Sequence, residues 1–501
     1  MHIIDIVIFV VYFAAMLGVG VYFFRKNKNN EDYYVGGRQL GAWHIGLSVV
    51  ATDVGGGFSI GLGGLGFAIG LGGSWMLFTG LVGAWLSAVL LIPIISKLSE
   101  KHKLFTFPQI FEYFYNNKVA LIAGIISAIG YIGFTSSQLL AGAKLASATF
   151  PEIDLNTALI IMGVVAVVYT SIGGLKAVIY TDTIQWIILM AGLLFIGIPV
   201  SYYKIGGMEV IEATLGSEFL SLSNVTWQQL VNWGITIIPI WFVGMTLYQR
   251  IYASKNEKEA QKAWFIAGLF EWPLMAFMGV TLGLFSRVAF ENGMFADLGY
   301  AFGANIDAEM GLPILLNTVL PAGLMGLMLS AYFSAILSTA DSCLMAASGN
   351  VQTDILAKFF RFKDDTKSQL RISQVITLII GVLALFLASF MTNVLNLMLY
   401  SYAFMVSGLF VPVVAALYGK RPNATAAIFS MISGGTTTVL LTTLGLRLPL
   451  DLDANVFGIS TSVFVYIITS LIFNKHYGKY YSLKARVTSK SGAFKQGVRN
   501  L

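Results

Sequence analysis

Residues 335 to 344 read Ala-Ile-Leu-Ser-Thr-Ala-Asp-Ser-Cys-Leu, which sets three hydroxyls and a carboxyl inside a long apolar run. At helical spacing Ser334, Ser338, Asp341 and Ser342 share one face, with Ala335 and Thr339 on its flank. Hydroxyl and carboxylate oxygens gathered on one face suit a hard cation with no appetite for nitrogen or sulfur. Asp53 and Asp182 are the other carboxylates most clearly inside apolar runs. A charge at the centre of a bilayer costs at least ~2.5 kcal/mol, so such groups usually face a cavity, an ion or a partner. The bland alternatives are acids kept neutral by burial, acids capping helix ends, and hydroxyls bonded back to the preceding turn.

The elements that carry these groups follow from composition. Of the 501 residues 56% are hydrophobic and 11% are charged, against roughly 25% charged in a soluble domain. Apolar stretches of about 20 residues, the length needed to cross a bilayer as a helix, recur about thirteen times. No alternating β pattern appears, so the expected class is an all-α integral membrane protein of about thirteen transmembrane helices. Residues 1–24 lack a basic leader region and a cleavage site and read as a retained first helix. Cys343, the single cysteine, permits no disulfide framework.

Of the 31 Lys and Arg residues, all but Lys144, Lys204, Arg287 and Arg447 fall in alternate loops and in the tail from 475. That asymmetry predicts a multi-pass protein of the plasma (inner) membrane, its amino terminus outside and its carboxyl terminus cytoplasmic. The net charge of +6 then reflects topology and points to no nucleic acid. The stretches near 204–229 and 287–312, on the outer side, read as lids or short surface helices.

Two predicted spans contain breaks. The second, 43–67, holds Thr52-Asp53-Val54-Gly55-Gly56-Gly57, and the seventh, 230–249, holds Pro239. Three glycines invite unwinding, and a proline removes a helix hydrogen bond, so an interruption is expected at each. Interruptions five spans apart are what two inverted five-helix repeats produce, with freed carbonyls available to a cation at the midplane. The expected organisation is a first helix and loop (1–40), a first repeat (41–229), a second repeat (230–420), two further helices (421–474) and a basic tail (475–501).

Taken together, Ala51-Thr52-Asp53-Val54, Gly173-Gly174-Leu175-Lys176-Ala177-Val178-Ile179-Tyr180-Thr181-Asp182-Thr183-Ile184-Gln185, Tyr248-Gln249-Arg250 and Ser338-Thr339-Ala340-Asp341-Ser342 resemble the sodium:solute symporter family. The resemblance runs in order over about residues 1–475 and implies a LeuT-like fold with discontinuous second and seventh helices. It implies a sodium site made by the carbonyls of Ala51, Val54 and Ala335 and the hydroxyls of Ser338 and Thr339. Asp182, Asp341 and Ser342 stand where some members bind a second sodium ion, although such members carry Ser where this chain has Asp341.

The expected activity is uptake of a small organic solute with sodium by alternating access. The solute expected first is an amino acid of proline type or a small carboxylate, because Thr52-Asp53 resembles the Ser-Asp of proline carriers. Choline or another organic cation is the alternative, and a sodium-dependent sensor or channel is the alternative of another class. Residues expected to line or gate the solute are Asp53, Gly55, Gly56, Phe58, Trp75, Tyr131, Gln138, Trp241, Met245 and Tyr402. No Walker loop or metalloprotease motif occurs, so neither a nucleotide-driven pump nor an enzyme is expected. The expected partners are sodium, the solute and the bilayer, with no obligate protein partner.

Overall fold

The computed structural model describes residues 2–26, 35–150, 152–173, 175–300, 305–360, 366–419 and 422–473. The tail from 475 and the side chains of Val54 and Phe58 lie outside the described residues. The main helices are α1 (Ile3–Lys26), α2 (Ala42–Ile69), α3 (Trp75–Leu90), α4 (Asn117–Thr149), α5 (Leu155–Gly173), α6 (Leu175–Gly192), α7 (Trp227–Val243) and α8 (Met245–Ala253). They continue as α9 (Glu257–Leu269), α10 (Ala276–Glu291), α11 (Ala308–Val319), α12 (Leu324–Gly349), α13 (Thr366–Ala388), α14 (Val394–Tyr418), α15 (Ala424–Leu444) and α16 (Ala454–Ile472).

The predicted spans fall largely on helical residues, but the described residues do not reproduce the expected number of about thirteen. Among the described residues nine helices are long and apolar enough to cross a membrane, or ten with α7 and α8 taken as one bent span. The predicted stretch 313–344 divides: α11 ends before Leu320, Gly323 turns the chain at φ 89°, and α12 then runs to Gly349. The stretches 204–229 and 287–312 hold short helices, as expected, including Gly207–Thr214, Ser217–Leu220 and Ala296–Leu298.

Local sequence sets the helix starts. Asn116, Asn256, Asp307, Asn393 and Asn423 each accept a hydrogen bond from an amide in the first turn of the helix they precede. Thr226 and Gln229 form a reciprocal capping box at α7. The polarity of the whole is that of a membrane protein. Val375, Leu378, Ile379, Val382 and Phe386 make an exposed apolar stripe along α13, whereas Asp182, Arg250 and Glu271 are fully buried.

The centre of the bundle is α2, which packs against α4, α6, α9, α10, α11, α12 and α14. It leaves helical geometry at Gly55 (φ 17°, ψ −157°), inside the predicted glycine triple. The other break is displaced from its predicted place. Helix α7 continues through Pro239 and ends at Gly244, whose ψ of 113° starts α8 at a bend of 43°. The reason is partner supply. A proline within a helix removes one N–H, while a full break frees a first turn of amides, and Tyr131 stands opposite Gly244 to accept from the Thr246 N–H at 3.0 Å.

The amino-terminal helix is tied to α12 by a carboxylate. Asp5, 3% exposed, accepts hydrogen bonds from the amides of Gly323 (2.7 Å) and Gly326 (2.8 Å), and the close approach is possible because Gly326 has no side chain. Asp5→Ala strands both amides, and a loss of about 1–3 kcal/mol is expected. The melting temperature of the purified protein should fall and should recover in part in Asp5→Asn, whose amide oxygen still accepts. An unaltered melting temperature in Asp5→Ala would rule out this anchoring role.

Candidate functional site

The break in α2 creates the site. A Cβ on Gly55 would stand 2.6 Å from Thr339 Oγ1 on α12 and 2.7 Å from Gln138 Oε1 on α4, so only glycine lets the three helices approach. Gln138 Oε1 accepts from the Gly56 N–H at 2.7 Å and so satisfies an amide released by the interruption. The Thr339 hydroxyl lies 3.2 Å from the Ala51 carbonyl and 3.1 Å from the Ala335 carbonyl. One hydroxyl cannot donate fully to both, and these oxygens converge between the broken helix and α12.

Ser338 Oγ, one residue earlier, is buried and lies toward the Asp182 carboxyl, with no short hydrogen bond among the described residues. Two carbonyls and the Thr339 hydroxyl form an all-oxygen set of the kind that suits sodium and offers nothing to a softer metal. Ala51, Ala335 and Thr339 are thus gathered at one break, Ser338 borders Asp182, and the side chain of Val54 is outside the described residues.

The second group of acids is organised by a residue whose chemistry was not anticipated. Arg250, counted in sequence with a basic loop, is in fact fully buried on α8. Its Nη2 donates to Thr52 Oγ1 (2.5 Å) and Ser342 Oγ (3.0 Å) and lies 3.4 Å from Asp182 Oδ2. Its Nε donates to Ser48 Oγ (3.1 Å) and its Nη1 to the Thr246 carbonyl (3.2 Å). Ser48 also donates to Asp182 at 2.5 Å. A single guanidinium therefore joins α2, α6, α8 and α12. Asp341 is not part of this cluster: its Oδ1 accepts from Thr170 on α5 at 2.5 Å. Asp182 and Ser342 accordingly share a guanidinium in this structure, and Asp341 faces a different helix.

The residues expected to touch solute are distributed over several places. Tyr402 lies 3.5 Å from Asp53 Oδ1, and its ring stands edge-on to Phe134 at 5.0 Å. Tyr131 bonds the Thr246 hydroxyl and amide, both at 3.0 Å, and Met245 packs its sulfur against the Phe107 N–H. Trp241 is packed against Gly83 of α3 and Trp264 of α9. Trp75 stands at the start of α3, stacked on Trp272 at 6.3 Å and donating to the Leu222 carbonyl at 2.9 Å. Gly56 packs against Ala141 and Gln138, and the Phe58 side chain is outside the described residues.

The two ends of the bundle are fastened differently. At the end bearing the basic loops, Leu40 and Ser254 form a parallel β-bridge, with Leu40 N–H to Ala253 O at 3.1 Å and Lys255 N–H to Leu40 O at 3.0 Å. Glu259 accepts the Ala42 N–H at 2.8 Å beside it. At the opposite end Lys144, 1% exposed, pairs with Glu309 (2.6 Å) and Asp307 (2.5 Å), and Glu309 also accepts the amides of Val394 and Leu395 at the start of α14.

Removing Arg250 strands the Asp182 carboxylate, a loss of about 3–5 kcal/mol for a buried pair. Arg250→Gln should therefore loosen α8 from α12 and speed thiol labelling of Cys343, the buried residue next to Ser342, by at least tenfold; Asp182→Asn in the same chain should restore much of the protection. Labelling that stays as slow as in the unaltered protein would dismiss the guanidinium as the fastening.

Comparison with known proteins agrees with the fold. The sequence profile of the sodium:solute symporter family matches residues 33–434. The chain is 28% identical over 475 residues to the osmoregulated proline transporter OpuE of Bacillus subtilis, covering 92% of this chain and 93% of that protein. It is 26% identical to a sodium/glucose cotransporter of Vibrio parahaemolyticus over 93% of this chain and 90% of that one. The fold is shared with a solved Na+-coupled sialic acid symporter in its substrate-bound outward-open state, at a TM-score of 0.77 and 22% identity over 94% of this chain and 98% of that one. The chain belongs to the sodium:solute symporter family.

Proposed function

We propose that this member carries a small amino acid of proline type into the cell together with sodium, by alternating access about the breaks in α2 and at Gly244. The observation that carries the sodium part of the reading is the convergence of the Ala51 and Ala335 carbonyls on the Thr339 hydroxyl, with Ser338 Oγ one residue away toward Asp182. The cargo follows the proline transporters among the relatives, which match this chain over most of its length. The basic end is assigned to the cytoplasm by its Lys and Arg content, and residues 41–229 and 230–420 form the two repeats.

In this scheme sodium reaches the site from outside and bridges the broken α2 to α12 through the residues that already converge there. An ion bound to both helices favours the arrangement in which they are close, and the solute, bound beside Asp53, gains affinity from the same arrangement. The coupling is reciprocal: solute must raise sodium affinity by the factor by which sodium raises solute affinity. Release on the other side requires α2 and α8 to part from α12, which breaks the Arg250 cluster, and the membrane potential adds about 2.3 kcal/mol per charge per 100 mV.

Proteoliposomes holding the full chain should accumulate labelled proline, or another small amino acid, only with an inward sodium gradient. Ser338→Ala and Thr339→Ala should each raise the half-saturating sodium concentration by tenfold or more without loss of folded protein. Sodium-independent flux, or unchanged sodium affinity in both variants, would overturn the assignment.

A further inference from the structure

Glu271 is a buried acid that the scheme above leaves without a task. The chain there leaves α-helical geometry between α9 and α10: Phe270–Met275 forms a π-type segment in which Trp272 is extended (φ −137°, ψ 126°). The Glu271 carboxyl is fully buried, and no residue other than Asp53 hydrogen-bonds to it among the described residues. It meets the Asp53 carboxyl beside the break in α2. Apart from Glu271, the Asp53 carboxyl has only the long contact from Tyr402 to its Oδ1.

The surroundings are built for this arrangement. Gly80 of α3 lies directly against Glu271 Oε2, and any side chain at that position would displace the carboxyl. The other buried acids each have a donor that is not an acid: Asp182 has Arg250, Glu309 has Lys144, Asp5 has two backbone amides, and Asp341 and Asp354 each accept from a threonine hydroxyl, of Thr170 and Thr106. Asp53 and Glu271 form no ion pair among the described residues; apart from the bond they share and the long contact to Tyr402 no residue donates to them, and a cationic donor would neutralise the pair once the shared proton leaves.

We propose that the Asp53–Glu271 pair receives the positively charged nitrogen of the transported solute, a primary or secondary ammonium whose N–H groups fill the vacant acceptor positions. This rests on the reading of the chain as an amino acid carrier and adds the group by which the cargo is recognised. Tyr402, with Phe134 against its edge, supplies an aromatic wall for the carbon skeleton next to the charge. A site that hydrogen-bonds a charged nitrogen rejects an isostere without it far more strongly than an apolar pocket rejects a change in size. Sugars and carboxylic acids without an amine are therefore excluded by the pair.

The test compares compounds that differ at the nitrogen, on the full chain in proteoliposomes and by thermal shift. L-Proline and pyrrolidine carry a charged nitrogen with N–H groups; choline, whose quaternary nitrogen has none, cyclopentanecarboxylate and N-acetyl-L-proline do not. The first group should compete for uptake or stabilise the protein, with the second at least a hundredfold weaker. Glu271→Gln should lower proline affinity at least a hundredfold, Glu271→Asp should recover part of it, and the sodium-dependent change in Cys343 labelling should stay within twofold, showing a folded protein with its ion site. If the unaltered protein takes up no amino acid but is stabilised by pyrrolidine through Glu271, the amino acid reading fails and the carboxyl pair stands. If it accumulates proline with sodium and Glu271→Gln does so equally, or if cyclopentanecarboxylate competes as well as proline, the pair is refuted and the amino acid reading stands.

Discussion

A helix interrupted inside a bilayer exposes amides and carbonyls that no water can satisfy, and the protein must supply a partner for each. Both interruptions here find their amide partner on one helix. Tyr131 and Gln138 are seven residues apart on α4 and so lie on one face; Tyr131 receives the Thr246 amide after the Gly244 break and Gln138 receives the Gly56 amide after the Gly55 break. The released carbonyls are handled by α12, where Thr339 meets Ala51. Interrupted helices thus depend on two uninterrupted ones, α4 and α12, and the oxygen cluster proposed to hold sodium is a by-product of that dependence, left where a peptide chain stops bonding to itself.

Charge is treated with the same economy. Buried ions are tolerable when paired and fully hydrogen-bonded. Arg250 is shared among Ser48, Thr52, Asp182, Ser342 and a backbone carbonyl, which spreads one positive charge over four helices. Lys144 does the same at one end of the bundle with Asp307 and Glu309. Each cluster joins helices through groups whose attraction is strong only while water is kept out.

Much of this was legible in the sequence because the signals are of high contrast. Apolar runs of membrane length marked every span, and three consecutive glycines beside an acid marked the first break. The second break was placed at Pro239 because proline is the stronger local signal, yet it lies at Gly244, where the distant Tyr131 supplies an acceptor; local propensity carries no record of such a partner. Arg250 was counted with a loop because a basic residue at the end of an apolar window reads as a flank, and only the fold brings Ser48, Thr52, Asp182 and Ser342 around it. Glu271 escaped notice among aromatic residues for a similar reason: its proximity to Asp53 is a tertiary fact. Trp241 shows the converse, since an aromatic that reads as a lining residue is here taken up in packing with Gly83 and Trp264.

The short bridge between Leu40 and Ser254 joins the start of one interrupted helix to the end of the other through paired backbone hydrogen bonds. Two levers connected at their tips have fewer degrees of freedom than two that swing separately. While the bridge persists, the first half of α2 and α8 move as one body, and partly open forms with only one of them displaced are removed from the kinetic scheme. Leakage through a half-open gate is then limited by connectivity alone, with no side chain needed to guard it.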